Sequence, residues 1–371
     1  VKLAIVHDWL NQIGGAESVL EALKSMYPDA PLYTSIYWRD KMPALYQSWD
    51  IRPSFMNRWP LVKRKHQWFL PFYPLAFESL DLSDYDLVIS NKSGFCHGVI
   101  TPPETLHICY CLTPTRYVWD YWTYIRREGL GTAAQKVLPA LLAWLRVWDR
   151  QAADRVDTFV AISETVRRRI AKYYRRDAVV IHPPVHTDQF QPSPEQDDFY
   201  LIVSRLVPYK RIDLAIEAFN RLERPLVVIG EGRDRSALQD MAGPNITFLG
   251  HVPFETVRDY LARCRALIFP GLEDFGIAPV EAQASGRPVI AFAGGGALET
   301  VIDGQTGVLF SEQTLDSLIQ AVRACEGIPF DPDAARRNAE RFSTETFERR
   351  FRAFVEEELE RHKANARLQS V

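Results

Sequence analysis

Tyr200-Leu201-Ile202-Val203-Ser204-Arg205-Leu206-Val207-Pro208-Tyr209-Lys210-Arg211-Ile212-Asp213-Leu214-Ala215-Ile216-Glu217-Ala218-Phe219 decides the fold. A short apolar run suited to a strand enters a polar turn, and Ile212, Ala215, Ile216 and Phe219 then fall at the three-and-four spacing of one helix face. This is half of a βαβ unit, and the alternation recurs along all 371 residues. In the first half, strands are expected at Leu3 to His7, Asp86 to Ser90, His107 to Leu112, Thr158 to Ile162 and Val179 to His182. In the second they are expected at Tyr200 to Ser204, Leu226 to Ile229, Ile246 to Leu249, Ala266 to Phe269, Val289 to Phe292 and Gly307 to Phe310. Each half has enough strands for its own parallel sheet, so the class is α/β in two domains.

Composition narrows the classes. With 47% hydrophobic and 25% charged residues the chain is of ordinary globular type, which excludes disordered and fibrous proteins. Its longest apolar stretch, Val137 to Trp148, is broken by Pro139 and Arg146 and falls short of the roughly 20 residues of a membrane-spanning helix. The opening residues read directly as a strand, with no secretory signal pattern, so a cytoplasmic location is expected. Five cysteines without a C-x-x-C pair suggest neither disulfides nor zinc. Residues 1–176 hold 23 Lys and Arg against 17 Asp and Glu, and the remainder holds 21 against 30. A basic first half suits an anionic surface, while a net charge of −3 argues against a nucleic-acid partner.

The polar, proline-containing run 186–198 is expected to be a linker between domains at 1–185 and 199–344. Beyond it, 345–371 reads as a charged helix whose stripe of Phe347, Phe351, Phe354 and Val355 packs on something, with the first domain as the expected target.

Several motifs sit where strands end. Gly14-Gly15 lies between the first strand and a helix, where free N–H groups can meet an anion. Arg205 and Lys210 emerge at the carboxyl end of a parallel strand, the ligand side of an open α/β sheet, and suit a diphosphate. Glu273 and Glu281 bracket a glycine turn and a helix start, with the backbone N–H groups of Phe275, Gly276 and Ile277 between them. Carboxylates there can hold sugar hydroxyls while backbone donors hold oxyanions. Gly294-Gly295-Gly296 allows close approach of the neighbouring loop.

Other signals carry less. Asp84 and Asp86 match a metal-binding D-x-D pattern but sit at the amino end of their strand, the wrong end for a ligand. Gly230-Glu231-Gly232 lacks the third glycine of a dinucleotide fingerprint. Arg52 to Trp68 mixes cations and aromatics with no acid, which suits an anionic lipid interface or a lipid-linked acceptor. Thr132 to Arg150, with Leu141, Trp144, Leu145 and Trp148, reads as a core helix.

Taken together, Glu273-x7-Glu281, the 204–210 segment, Ala284-Ser285-Gly286-Arg287-Pro288-Val289-Ile290-Ala291 and Gly14-Gly15-Ala16-Glu17 resemble glycosyltransferase family 4, and most closely its bacterial mannosyltransferases for O-antigen and other surface polysaccharides. The resemblance implies a GT-B fold, two Rossmann-like domains facing a central cleft, and retaining transfer from a nucleotide sugar without a metal or other cofactor. It implies that Arg205 and Lys210 bind the donor diphosphate, that Glu273 with Phe275, Gly276 and Ile277 holds the donor sugar, and that Glu281 holds the ribose. Catalysis would rest on Glu273, Arg205 and Lys210. The backbone around Val252 would receive the base, Gly15 would approach the phosphate, and Gly14, Arg116 and Tyr117 would lie on the acceptor side. The expected donor is GDP-mannose and the expected acceptor a glycan or polyprenyl-diphosphate-linked glycan, with peripheral contact to an anionic membrane. One position departs from the pattern: where family members commonly carry histidine, this chain has Leu112. Donors with a 6-deoxy sugar or a UDP-sugar, an epimerase or hydrolase on the same fold, and a non-catalytic sugar-nucleotide-binding protein remain as alternatives.

Overall fold

All strand pairings among the described residues are parallel, as buried β-branched runs joined by helices require. The computed structural model describes residues 1–120 and 132–369. Two compact units divide them: 1–183 with 347 onward, and 184–346.

In the first unit seven strands run in the order β3-β2-β1-β4-β5-β6-β7, where β1 is Leu3–His7, β2 Leu32–Thr34, β3 Ile51–Pro53, β4 Leu87–Lys92, β5 Leu106–Cys111, β6 Thr158–Ala161 and β7 Ala178–Val180. The second has β10-β9-β8-β11-β12-β13: β8 Tyr200–Val203, β9 Leu226–Ile229, β10 Ile246–Gly250, β11 Leu267–Phe269, β12 Val289–Phe292 and β13 Gly307–Phe310. In each sheet the order reverses beside the first strand, between β1 and β4 and between β8 and β11. The loops that part at such a reversal leave a crevice at the carboxyl ends of the strands.

Every expected strand is present, with ends shifted by at most two residues. The sequence reading missed β2 and β3, which are three-residue strands at the sheet margin, too short to show an alternation of their own. Helix Thr132–Asp154 buries Leu142, Leu145 and Trp148 as a core helix should, but Trp144 and Val147 point outward. Asp86 lies just before β4 and accepts the backbone N–H of Lys2 at 2.7 Å, a tie at the amino edge of the sheet.

The 186–198 stretch lies wholly in the second unit. Arg287 donates to the carbonyls of Ser193 and Glu195, and Phe190 is buried. Helix Thr344–Gln369 buries Phe347, Phe351 and Val355. On the first unit, both phenylalanines meet Tyr110 edge-on, and Glu358 accepts a hydrogen bond from Thr158. No helix among the described residues is long and apolar enough to cross a membrane.

Candidate functional site

The loops after β8 and β11 meet at the crevice of the second unit. After β8 the chain makes a short 3-10 turn, Pro208–Lys210, and Arg211 adopts a left-handed conformation (φ 53°) that starts helix Ile212–Leu222. The Lys210 ammonium forms an ion pair with the Glu273 carboxylate from the loop after β11, and both side chains are largely buried. Gly271 makes this approach feasible: a Cβ there would lie 2.9 Å from the Lys210 Cα and 3.0 Å from the carbonyls of Tyr209 and Lys210. Arg205 is exposed and donates to the Tyr209 hydroxyl at 3.1 Å.

Three residues beyond Glu273 the chain turns at Gly276, whose φ of 89° suits glycine, into helix Ile277–Ala284. No side chain caps that helix, so its first N–H groups face the crevice with the positive end of the dipole. Phe275 contributes backbone only, because its ring is buried edge-on against Phe342. The loop after β12 presses on this turn from the other side. Gly296 N–H donates to the Glu273 carbonyl at 2.9 Å, and Cβ atoms at Gly295 and Gly296 would fall 1.9 Å and 2.1 Å from the carbonyl oxygens of Glu273 and Phe275.

Glu281 sits on the second turn of that helix, where burial pushes its carboxyl up to about 7. The helix itself is held by Gln283, which donates to the carbonyls of Pro279 and Thr300 and accepts from Asn338 at 2.6 Å. Val252 lies on the loop after β10, where His251 N–H donates to Glu231 and Glu231 pairs with Arg235. The structure therefore joins Lys210 to Glu273 directly and puts Gly276, Ile277 and Glu281 on the adjoining turn and helix.

The remaining expected residues belong to the first unit. Gly14 and Gly15 are exposed, and Gly14 begins helix Gly15–Met26 without a side-chain cap. Beneath them Glu17 and His7 are buried 3.4 Å apart, and Asn91 donates to the Ala16 carbonyl. Leu112 follows β5 directly, half-buried, its N–H donated to the Lys92 carbonyl. Arg116 and Tyr117 start the short helix Arg116–Trp119, where the Tyr117 ring leans edge-on against buried Phe95.

Sequence reading missed a buried charge network under these loops. Asp8, at the end of β1, accepts the backbone N–H groups of Ser93, Gly94, Phe95 and Cys96. Asp149 accepts from Thr115, Trp119 and Tyr174 at 2.6–2.8 Å. Lys92, fully buried, donates to Thr115 at 3.2 Å. Burial pulls its ammonium toward neutrality, but Asp149 and its other neighbours outweigh that and raise its pKa. Only the buried position of polar residues at three strand or helix ends could have signalled this, and the sequence alone does not give burial.

Two sequence models of known families match in succession. Glycosyltransferase Family 4 matches residues 13–189 and Glycosyl transferases group 1 matches residues 186–342. The chain is 29% identical over 229 residues to a GDP-mannose-dependent alpha-(1-6)-phosphatidylinositol monomannoside mannosyltransferase of Mycolicibacterium smegmatis, covering 53% of this chain and 60% of that protein. It is 35% identical over 150 residues to a glycogen synthase of Mycobacterium tuberculosis, covering 38% of this chain and 36% of that protein. The matches thus span less than two thirds of these curated relatives. Among solved structures, Anabaena Alr3699/HepE in complex with UDP has a TM-score of 0.71 at 17% identity, covering 96% of this chain and 100% of that one. The apo lipopolysaccharide outer core galactosyltransferase WaaB has a TM-score of 0.68 at 17% identity with the same coverage. At such identity the likeness establishes the shared fold, GT-B.

Proposed function

Because glycosyltransferase models of family 4 and group 1 match residues 13–189 and 186–342 in succession, we propose that the chain is a family 4 glycosyltransferase that transfers a sugar, with retention, from a nucleoside diphosphate donor to a glycan or polyprenyl-diphosphate-linked acceptor. The observation that carries this reading is the Lys210–Glu273 ion pair beside the uncapped start of helix Ile277–Ala284. A cation and free N–H groups offer a place for a diphosphate, and a carboxylate next to them offers one for sugar hydroxyls.

In this reading Lys210 and Arg205 hold the diphosphate and stabilise the charge that grows on it as the bond from the sugar C1 to the phosphate oxygen breaks. The acceptor oxygen bonds to C1 on the same face, and its proton passes to a phosphate oxygen of the departing nucleoside diphosphate. Glu273 and the backbone from Phe275 to Ile277 orient the sugar, Glu281 takes the ribose hydroxyls, and the loop at Val252 takes the base. Gly15 approaches the phosphate, while Gly14, Arg116 and Tyr117 serve the acceptor. Cationic side chains and a helix start supply the neutralisation, so no metal is needed.

GDP-mannose is the donor proposed, in keeping with the mycobacterial relative's name. The apolar Leu112 at the end of β5 favours a second reading, a 6-deoxy sugar, whose C6 methyl would suit an apolar neighbour. A mass-spectrometric panel of GDP-mannose, GDP-fucose, UDP-glucose, UDP-N-acetylglucosamine and dTDP-rhamnose, with a short lipid-linked glycan as acceptor, tests both. Release of GDP with mannose on the glycan supports the first reading. Selective use of a deoxy sugar transfers support to the second, and turnover of none of the five overturns both.

A further inference from the structure

We infer that the Glu17 carboxylate, under the exposed Gly14–Gly15 turn of the first unit, accepts a hydrogen bond from a sugar hydroxyl of the acceptor, with His7 and Asn91 as the residues that position it. The inference deepens the transferase reading and rests on it. His7 ends β1 and Asn91 lies near the end of β4, the two strands beside which the sheet order reverses. The group therefore stands on the ligand side of the first unit's sheet.

Glu17 is only 3% exposed and occupies the third position of helix Gly15–Met26. From there a glutamate can reach back to the N–H of the residue before the helix and close a capping box. Glu17 does not do so: among the described residues its one side-chain hydrogen-bond partner is His7, whose Nε2 lies 3.4 Å from Oε1. Asn91 sets which ring nitrogen carries the proton. Its amide group donates to the Ala16 carbonyl at 2.8 Å and faces His7 Nδ1 at 3.2 Å. A proton on Nδ1 would meet the Asn91 hydrogens, so Nδ1 accepts and Nε2–H is turned to Glu17. This chain of bonds uses Oε1 and leaves Oε2 with no donor among the described residues, which is costly for a buried carboxylate unless a ligand completes it.

Oε2 lies next to the turn. A Cβ built on Gly14 would meet it at 3.4 Å and, outside the adjoining chain, would meet nothing else within 4 Å. The space that a side chain would fill is thus open, and a hydroxyl entering it comes within reach of Oε2. Gly14 has an extended backbone (φ −170°) that any residue adopts, so the path of the chain does not call for glycine here. What the missing side chain supplies is access to Glu17. The carboxylate also offsets the positive end of the uncapped helix, so at Gly14 the turn suits a neutral O–H donor, a sugar hydroxyl, and not the diphosphate of a carrier lipid.

Two variants of the whole chain test this. In Glu17→Gln, His7 Nε2–H holds the amide oxygen and an NH₂ group replaces Oε2. Gly14→Ala sets a methyl beside Oε2 and disturbs no buried group. With the donor found by the panel and the short lipid-linked glycan as acceptor, each should raise the acceptor KM about 10- to 100-fold, the scale of one hydrogen bond to a charged group. Affinity for the nucleoside diphosphate that the panel releases, measured by titration calorimetry, should stay at the parental value, and Gly14→Ala should melt like its parent. A parental acceptor KM in either variant, or a nucleotide affinity that falls in step with it, overturns the inference and leaves the transferase reading standing. A panel in which no donor turns over overturns both.

Discussion

Lys210 and Glu273 neutralise each other across two loops that leave neighbouring strands, with side chains only 14% and 18% exposed. On the proposed reading, a diphosphate reaching Lys210 meets a cation already engaged, so its binding would redistribute that pairing, with Lys210 turned toward the phosphates and Glu273 released toward sugar hydroxyls. Lys210→Ala should therefore do more than remove a cation, since it leaves an unbalanced carboxylate beside the donor. We expect kcat to fall by about 10²–10³ for Lys210→Ala, within the range for losing one group that stabilises developing charge. Glu273→Gln, which keeps a hydrogen-bonding group without the charge, should lose less. Steady-state kinetics on the donor found by the panel checks this, and equal losses in the two variants would contradict it.

Glu281 gives a pH dependence of known sign. Its carboxyl is pushed up to about 7 by burial, so acidification through pH 7 protonates it and, on the proposed reading, removes an acceptor for ribose hydroxyls. The donor KM should rise as pH falls below 7, and Glu281→Gln should flatten that limb. Stability without ligand runs the other way. A carboxyl whose folded value exceeds its unfolded value of 4.5 costs stability increasingly as pH rises between the two, and fully above 7. Thermal melts at pH 8 should show Glu281→Gln more stable than the parent, and nearly equal near pH 4.5.

Close backbone packing makes a sharper mutational test. Gly295→Ala or Gly296→Ala would place a methyl within about 2 Å of a carbonyl oxygen of the 273–275 loop, and several kcal/mol of strain should be relieved only by moving that loop. Both variants should lose nucleotide binding by titration calorimetry. Gly327→Ala, with its nearest neighbour at 3.6 Å, is the tolerant control.

Asp149 is a stability prediction for the first unit. Asp149→Ala removes the acceptor of Trp119 and Tyr174 and one of the two acceptors of Thr115, and leaves buried Lys92 without the charge that most raises its pKa. Losing one side of a buried charge pair costs about 3–5 kcal/mol. Urea denaturation should show a loss of that size, and a loss below 1 kcal/mol would count against the network as described.

Metal removal should leave the rate unchanged. If Lys210, Arg205 and the start of helix Ile277–Ala284 neutralise the leaving diphosphate, excess EDTA has nothing to withdraw. Initial rates with and without chelator decide this, and a loss restored by Mg²⁺ would refute it.

Much of this was readable in advance because the information was local. The strand at Tyr200, the turn at Pro208 and the helix face from Ile212 to Phe219 announce themselves within one stretch. Glu273, Gly276 and Glu281 likewise lie on a single strand–turn–helix segment. What could not be read depends on partners distant in sequence. Nothing near Asp8 tells that its carboxylate gathers the amides of 93–96, nor near Gln283 that Asn338 holds it. The Phe347 and Phe351 stripe is visible as a stripe, but its partner Tyr110 is identified only by the fold. The strands at Leu32 and Ile51 escape because three residues are too few to reveal a period.

The packing of Phe347, Phe351 and Val355 on the first unit has a consequence for the order of synthesis. A ribosome makes β1 to β7 first, then all of the second unit, and only afterwards the residues that close over Tyr110 and Thr158. The first unit to be translated is thus the last to be finished. Until then the β5 and β6 region lacks the cover that Phe347, Phe351 and Glu358 give to Tyr110 and Thr158.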